Sequence, residues 1–288
     1  MLEHWIVYSL VCSLLNCLQG AFVKHLAMKL NRYLVTWSIF AFSVPFMVIL
    51  LVVTGVPPVK PSFFPALAGA LLTNALAFTL YVRALQVSPL SLTIPFLSFT
   101  PFFLILTGRL ILGELPTPMG IVGIVLIIGG AYSINLERAG QGLLSPFKNI
   151  YQERGSLLML VTAALWSLSS TMDKAGVLSS SPAFYTISFH IFLPFLYIAL
   201  LSPQEIGLKD TVPNFWPLLL LGGLQMGVAL SQMHAIEIGL VSYVIAVKRG
   251  GLLFSIVLGA LFFRERMFAV RFIGGALMAT GVFFIVLG

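Results

Sequence analysis

Residues 83–130 read RALQVSPLSLTIPFLSFTPFFLILTGRLILGELPTPMGIVGIVLIIGG, and this stretch decides the fold. It contains an apolar run over 89–111 and the start of another at 118, separated by the connector GELPTP. Each run is long enough to cross a bilayer as a helix, because a spanning helix needs about 20 mostly apolar residues. The stretch therefore predicts two neighbouring transmembrane helices joined by a short turn.

The rest of the chain has the same character. Hydrophobic residues make up 59% of its 288 residues and charged residues 9%, with a mean hydropathy of +1.04, whereas soluble domains carry about 25% charged residues. The sequence predicts an all-α membrane protein with ten transmembrane helices, at 5–27, 33–54, 63–86, 89–111, 118–136, 155–177, 183–202, 214–238, 240–263 and 269–287.

The chain also repeats itself at a spacing of 151 residues. At that spacing Glu114 corresponds to Glu265, while Gly123 and Gly130 of the fifth span correspond to Gly274 and Gly281 of the tenth. Three consecutive helices keep this register without a gap. The sequence therefore predicts two five-helix repeats, 1–136 and 155–288, joined by a polar linker at 137–154.

An odd number of spans in each repeat makes the two copies inverted with respect to the membrane. The basic residues agree with this arrangement, since most lie in or beside odd-numbered connectors: Lys29, Arg32, Arg138, Lys148, Arg154, Lys209, Arg264, Arg266 and Arg271. Cytoplasmic loops are enriched in Lys and Arg, so we expect the odd connectors to be cytoplasmic and both termini outside. Inverted repeats are typical of secondary transporters, which bind solute near the membrane midplane.

Residues 83–130, and their counterpart from Ala235 to Gly281, resemble the EamA-type domain of the drug/metabolite transporter superfamily. The shared features are an entry into a proline-containing helix, a Gly-Glu pair and a glycine-rich last helix, and Trp166 matches a Leu-Trp pair near the start of the domain. The resemblance implies a ten-helix carrier of amino acids, sugars, nucleotide sugars or other metabolites. The second repeat departs from the pattern, because Ala246 and Leu252 stand where the first has Pro95 and Pro101.

Lys248 and Arg249 are the sharpest candidates for a solute site. They lie near the middle of the ninth predicted span, where each cation costs about 2.5–3.5 kcal/mol to insert. Glu237 is eleven residues away, too far for an ion pair on the same helix. We expect the pair to bind a phosphate or carboxylate; a structural ion pair with Glu237 or Glu265, or a contact with a helix C-terminus, is the alternative.

Other polar and aromatic side chains lie near the middle of predicted spans. Asn74 and Gln225 are related by the repeat spacing, and His190 lies at the centre of the seventh span. We predict that all three contact substrate, although interhelical hydrogen bonds would also explain them. Aromatic side chains that would line the same cavity, or pack and anchor helices instead, are Tyr81, Trp166 and Tyr243.

No mid-span carboxylate stands out, since Asp173, Glu114, Glu237 and Glu265 all fall toward span ends. Proton-driven exporters of cations need a buried acid, so we favour a neutral-to-anionic solute moved by alternating access. An amino-acid or drug exporter and a lipid-headgroup flippase remain alternatives. A membrane enzyme is the least favoured, because the sequence has no nucleophile–base grouping or HExxH motif.

We predict no cofactor and no metal, because no CxxC or helical His pair occurs. The net charge of +7 forms no basic stripe with interleaved aromatics, so nucleic acid is not expected as a partner. The predicted partners are a small metabolite and the bilayer of the cell (inner or plasma) membrane. The glycine-rich fifth and tenth spans leave a homodimer contact open.

Overall fold

A computed structural model of the chain describes residues 2–88, 93–137, 154–200, 203–251, 254 and 269–287. Every regular element in these ranges is helical, and no strand occurs among them. The longer helices are α1 (Leu2–Ala27), α2 (Arg32–Ala41), α3 (Val44–Thr54), α4 (Phe63–Val87), α5 (Thr100–Leu112), α6 (Pro118–Glu137), α7 (Arg154–Leu178), α8 (Pro182–Leu200), α9 (Phe215–Ile238), α10 (Val241–Arg249) and α11 (Ala269–Leu287). Shorter helical pieces are Ile94–Phe99, Pro203–Ile206 and Leu208–Asp210.

Among the described residues, seven helical segments are long and apolar enough to cross a membrane. They are His4–Ala27, Tyr33–Thr54, Phe63–Tyr81, Pro95–Leu112, Arg154–Leu178, Pro182–Leu200 and Phe215–Ile238. Two shorter apolar helices, Pro118–Ile134 and Phe272–Leu287, match the predicted fifth and tenth spans. The all-helical fold with multiple apolar spans is confirmed, while the count of ten stays a prediction.

The predicted second span, 33–54, is interrupted. Helix α2 ends at Ala41 and α3 begins at Val44. The hydroxyl of Ser43 donates to the carbonyl of Phe40 over 2.6 Å, and Pro45 has no N–H with which to continue the helical ladder. Gly222 of α9 packs against this break, since a methyl group at that position would collide with the Phe42 carbonyl.

The predicted fourth span is interrupted as well. It begins as the 3-10 helix Ile94–Phe99 and continues as α5. Pro101 has no N–H to donate to the Leu97 carbonyl, so a regular α-helical ladder cannot run through this junction. The ninth predicted span, 240–263, begins as α10, which ends at Arg249 and is followed by a turn at Gly250, whose N–H bonds to the Ala246 carbonyl as in a continuing α-helix. Gly251 is helical again, so this span stays a prediction. Beyond Gly251 only residue 254 of that predicted span is described.

Contacts divide the chain into two compact units. Unit 1 holds Glu3–Ala75 and Met172–Ile238, and unit 2 holds Leu76–Thr171 and Gly239–Gly288. Each unit therefore combines helices from both sequence repeats. The repeat boundaries at 136 and 155 describe the duplication of the sequence and stay a prediction. Of the predicted linker at 137–154, residues 138–153 lie outside the described residues.

Unit 1 has a core formed by α1, α2 and α9. The buried side chains of Leu26, Val35, Leu218 and Leu221 form one cluster. Helix α8 packs against α2, α3 and α9 in the same unit. These contacts determine which polar side chains of α1, α8 and α9 meet inside the unit.

Unit 2 is built around the pairing of α6 with α11, the most extensive helix contact described. A methyl group on Gly123 would lie 2.5 Å from the carbonyl oxygen of Gly281, and a methyl group on Gly130 would collide with the carbonyl of Gly274. Because the contact pairs run in opposite directions along the two helices, α6 and α11 are antiparallel. The repeat spacing converts one contact into the other, which is the relation expected of inverted copies. These glycines thus serve an intrachain contact, and the homodimer stays a prediction.

Candidate functional site

The predicted site residues fall into two groups, one in each unit. Lys248, Arg249, Tyr81, Trp166 and Tyr243 belong to unit 2. The other three, Asn74, Gln225 and His190, belong to unit 1.

Arg249 is the last residue of α10, and it lies beside the first residue of α5. Its Nη2 donates to the Thr100 hydroxyl over 3.2 Å, and the Arg249 side chain is half-buried. No Asp or Glu among the described residues forms an ion pair with this guanidinium. Burial of a cation is costly unless an anion pairs with it. The Thr100 hydroxyl is neutral, so Arg249 still favours an anionic partner.

Lys248 precedes Arg249 in the last turn of α10 and is also half-buried. It has a partner of its own in the structure. Cations are stabilised by the last turn of a helix, where carbonyl groups point outward. The C-terminus of α10 therefore offsets part of the cost of both charges, which is one form of the structural alternative.

An aromatic pair lies next to Arg249. The rings of Tyr81 on α4 and Trp166 on α7 are tilted by 38° with centroids 5.6 Å apart. Tyr81 lies within electrostatic range of the Arg249 guanidinium. We refer to Arg249, Lys248, Thr100, Tyr81 and Trp166 as the Arg249 cluster.

The Gly-Glu pair of the sequence motif ends one helix and caps another. Gly113 adopts a left-handed conformation with φ of 72°, which closes α5 and which a side chain would disfavour. Glu114 then accepts a hydrogen bond from the backbone N–H of Val241 over 3.0 Å. This carboxylate therefore caps the N-terminus of α10, where the helix dipole favours a negative charge. Its repeat counterpart, Glu265, lies outside the described residues.

Tyr243 is buried beside the same cap. Its hydroxyl accepts a hydrogen bond from the Thr117 N–H over 2.9 Å and lies 3.2 Å from the Thr117 hydroxyl. A methyl group on Gly120 would collide with this Tyr243 hydroxyl. Tyr243 thus ties α10 to the connector after α5, so the structure gives it a positioning role apart from the Arg249 cluster.

In unit 1 the predicted residues His190 and Gln225 bond directly to each other, and Gln19, which the sequence did not single out, extends this chain. The Nε2 of Gln19 donates to the Oε1 of Gln225 over 2.8 Å. The Nε2 of Gln225 lies 3.0 Å from the Nε2 of His190, and the Nδ1 of His190 lies 2.8 Å from the Thr186 carbonyl. An amide nitrogen only donates and a carbonyl only accepts, so His190 is neutral with its proton on Nδ1. We call these residues the glutamine–histidine chain.

Asn74 has a different partner from Gln225. Its Oδ1 accepts a hydrogen bond from the Tyr197 hydroxyl over 2.9 Å. Phe40 packs against both Tyr197 and His190, with centroid distances of 5.8 Å and 5.5 Å. The two repeat-related amides thus lie in one unit but bond to different side chains. Asn74 and Gln225 are half-buried, whereas His190 is only 2% exposed.

Asp173 is a buried carboxylate whose importance the sequence understated. Its position near the end of α7 suggested an interface location, yet its side chain is 6% exposed. The Tyr185 hydroxyl donates to its Oδ1 over 2.7 Å. The neighbouring Lys174 is 7% exposed and has a partner. The signal available in the sequence was an Asp-Lys pair inside an apolar helix.

No group of three or more His, Cys, Asp or Glu side chains able to hold a metal occurs among the described residues. The features present are a cation cluster in unit 2 and a neutral polar chain with a buried acid in unit 1. Groups of this kind pair with opposite charges and form hydrogen bonds.

Comparison with known proteins agrees with this architecture. The profile of the EamA-like transporter family matches residues 4–136 and again 153–287. The chain belongs to the EamA-like transporter family. It is therefore a multi-pass membrane protein of a transporter family, and the two matches correspond to the two predicted repeats.

A solved protein crystal structure has a fold similar to that of this chain. Its TM-score is 0.73 at 15% identity, covering 98% of this chain and 95% of the other. At that identity the likeness concerns the fold alone. No curated protein matches the chain.

Proposed function

We propose that the chain is a secondary transporter that moves a small polar, neutral-to-anionic metabolite across the cell (inner or plasma) membrane by alternating access. Ten spans arranged as inverted repeats are part of this proposal. The antiparallel contact between α6 and α11, with its repeat-related glycine pairs, supports the inversion.

One observation carries the choice of solute. Arg249 is half-buried among apolar helices, and its hydrogen-bond partner among the described residues is the neutral Thr100 hydroxyl. A guanidinium presents a planar fork that suits carboxylate or phosphate. The solute is thus proposed to supply the negative charge that the described residues near Arg249 do not.

The neighbours of Arg249 suit the same role. Lys248 adds a second positive charge, and the Tyr81–Trp166 pair offers flat apolar surface beside the cation. Solute sites combine apolar walls with a few polar groups that determine orientation. We propose that the anionic group of the solute binds Arg249 and Lys248 while its less polar part contacts the aromatic pair.

The predicted contacts in unit 1 are kept as part of the proposal. Gln225 and Asn74 are half-buried, so their amides can exchange a protein partner for a hydroxyl or amide of the solute. His190 is buried and donates to Thr186. Its contribution to solute binding is therefore proposed to pass through Gln225.

The test is thermal unfolding of the purified chain with a panel of amino acids, sugar phosphates, nucleotide sugars, organic anions and lipophilic cations. A ligand at a hundredfold excess over its Kd stabilises the folded state by about 2.7 kcal/mol. We expect at least one anion to stabilise the wild type, and Arg249→Gln to lose that response. Arg109→Gln is the matched control, because Arg109 is an exposed arginine of the same unit.

Two outcomes would contradict the proposal. If a neutral amino acid stabilises the wild type and Arg249→Gln equally, the cation pair is structural. If a lipophilic cation is transported while Lys248 and Arg249 are dispensable, the solute class is wrong. Proteoliposome uptake of the stabilising solute then separates binding from transport.

Asp173 favours a second candidate within the same family, a proton-coupled exporter of cations. Such an exporter needs a buried acid, and Asp173 with Tyr185 provides one in unit 1. In that case Asp173→Asn abolishes proton-driven efflux of a cation, whereas Arg249→Gln leaves it unchanged. Measuring both variants in one efflux assay distinguishes the two functions.

A further inference from the structure

A cleft of about 400 Å³ opens where the end of α1 meets the start of α9 in unit 1. His25 and Lys29 lie on the α1 side, and Trp216 lies on the α9 side. Phe22, Leu26 and Leu220 line it about one helical turn deeper along the same two helices. The cleft is therefore polar at one end and apolar at the other.

Three polar side chains of this cleft have donors without a hydrogen-bond partner among the described residues. Lys29 and His25 are exposed, and neither forms an ion pair or a side-chain hydrogen bond with any described residue. The Trp216 side chain is 75% exposed, and its described contact is the Phe215 ring, so its indole N–H also remains a donor. One ammonium and two N–H donors that face one opening suit an acceptor with several negatively charged oxygens.

The apolar end of the cleft points to the source of that anion. Leu220 is 57% exposed, and it lies on a helix long and apolar enough to span a membrane. Tryptophan is typical of the level where lipid headgroups meet hydrocarbon. An acyl chain lying along Leu220 and Phe22 places its headgroup at the level of Trp216 and Lys29.

Hydrogen bonds hold the rim of the cleft in place. The amide of Asn31, two residues after Lys29, donates to the Glu205 carbonyl over 2.8 Å. Asn214, which lines the cleft, donates to the Asp210 carbonyl over 2.9 Å. The floor is the buried cluster around Leu26 and Leu218. Two residues that line the cleft, Phe22 and Leu26, thus belong to the packed core of unit 1.

We propose that this cleft binds one anionic phospholipid, with its phosphate on Lys29, His25 and the Trp216 N–H and an acyl chain along Phe22 and Leu220. The lipid is a resident ligand of unit 1 and differs from the transported solute. Basic pockets between transmembrane helices bind anionic headgroups in this way. The site is independent of the proposed function, because none of its residues belongs to the Arg249 cluster or the glutamine–histidine chain.

The experiment measures thermal unfolding of the full chain in mild detergent as phosphatidylglycerol or phosphatidylcholine with the same acyl chains is added. We expect phosphatidylglycerol to raise the unfolding temperature more than phosphatidylcholine. Lys29→Gln combined with His25→Ala should remove that difference. Lys60→Gln is the control, because Lys60 is an exposed lysine outside the cleft and should leave the difference intact.

The outcomes separate cleanly. Equal stabilisation by the two lipids in the wild type overturns the proposal, and so does a full phosphatidylglycerol response in the double variant. Inorganic phosphate is added in a separate measurement. If it raises the unfolding temperature as much as the lipid does, the acyl chain does not contribute to binding in the apolar part of the cleft, and the assignment of a lipid is overturned. Trp216→Phe keeps the ring and removes only the N–H, so it should reduce the lipid response without affecting the unfolding temperature in detergent alone.

Discussion

The guanidinium of Arg249, at the end of α10, donates a hydrogen bond to the hydroxyl of Thr100, at the start of α5. Hydrogen bonds that involve a charged group contribute about 1.5–3 kcal/mol. We therefore expect Thr100→Val to lower the free energy of unfolding by at least roughly that amount, since the shape is kept while the acceptor for Arg249 and the donor to the Leu97 carbonyl are both lost. Thr100→Ser retains the hydroxyl and should stay close to the wild type in the same chemical-unfolding measurement.

Glu114 should matter more for α10 than its place in a connector suggests. Loss of an N-terminal cap costs about 0.5–2 kcal/mol, so Glu114→Ala should destabilise the chain by that order. Glu114→Gln keeps an acceptor for the Val241 N–H and should cost less. Glu237→Ala serves as a control, because that carboxylate is exposed. Equal unfolding temperatures for Glu114→Ala and Glu237→Ala would contradict the capping role.

Adjacent glycines of α6 should respond in opposite ways to alanine. A methyl group at Gly130 collides with the Gly274 carbonyl, so Gly130→Ala forces α6 and α11 apart at a cost of roughly 1–3 kcal/mol. A methyl group at Gly129 meets nothing within 4 Å. Gly129→Ala should therefore be neutral or stabilising by up to about 1 kcal/mol, through helix propensity. Unfolding temperatures compare the two variants, and equal losses would argue against the close contact.

Gln225 should contribute more to unit 1 than Gln19, because it bonds to two partners. Interhelical hydrogen bonds in membranes are worth about 0.6 kcal/mol on average. Gln225→Leu removes the bonds to both Gln19 and His190, whereas Gln19→Leu removes one. We expect the loss of stability for Gln225→Leu to be about twice that for Gln19→Leu. A Gln19→Leu variant at least as unstable as Gln225→Leu would refute the chain as described.

The hydrogen bond from Tyr185 to Asp173 stabilises a buried carboxylate, so its removal should lower the free energy of unfolding. Tyr185→Phe leaves the carboxylate without its tyrosine donor, and the expected cost is about 1.5–3 kcal/mol. Tyr8→Phe is the control, since Tyr8 is 38% exposed. If the two variants unfold at the same temperature, the Tyr185 bond contributes little.

Much of the fold follows from local sequence patterns. Apolar runs of sufficient length identify the spans, since hydropathy summed over about 20 residues is a property of each segment alone. The interruption at Ser43 was missed, because one serine barely alters that sum. The change from 3-10 to α-helix in the fourth span coincides with Pro101, whose missing N–H acts within one turn.

The candidate site was predicted in part. Arg249 and Lys248 were predicted because a charge inside a membrane span is costly, and this cost can be judged without knowing which residues surround it. The roles of Tyr243 and Glu114 were not found, since capping α10 joins residues more than a hundred positions apart. Asp173 was undervalued because distance from a span end measures depth, whereas burial depends on which helices surround it.

The sequence by itself determined the membrane class, the family and the duplication at 151 residues, because each is written in hydropathy, motif or register along the chain. The tertiary structure decided which residues meet. Gly123 lies against Gly281 and not against its own repeat counterpart, because antiparallel packing pairs opposite ends of α6 and α11. The same long-range packing joins Arg249 to Thr100 and Gln19 to Gln225, and no local pattern encodes such pairs.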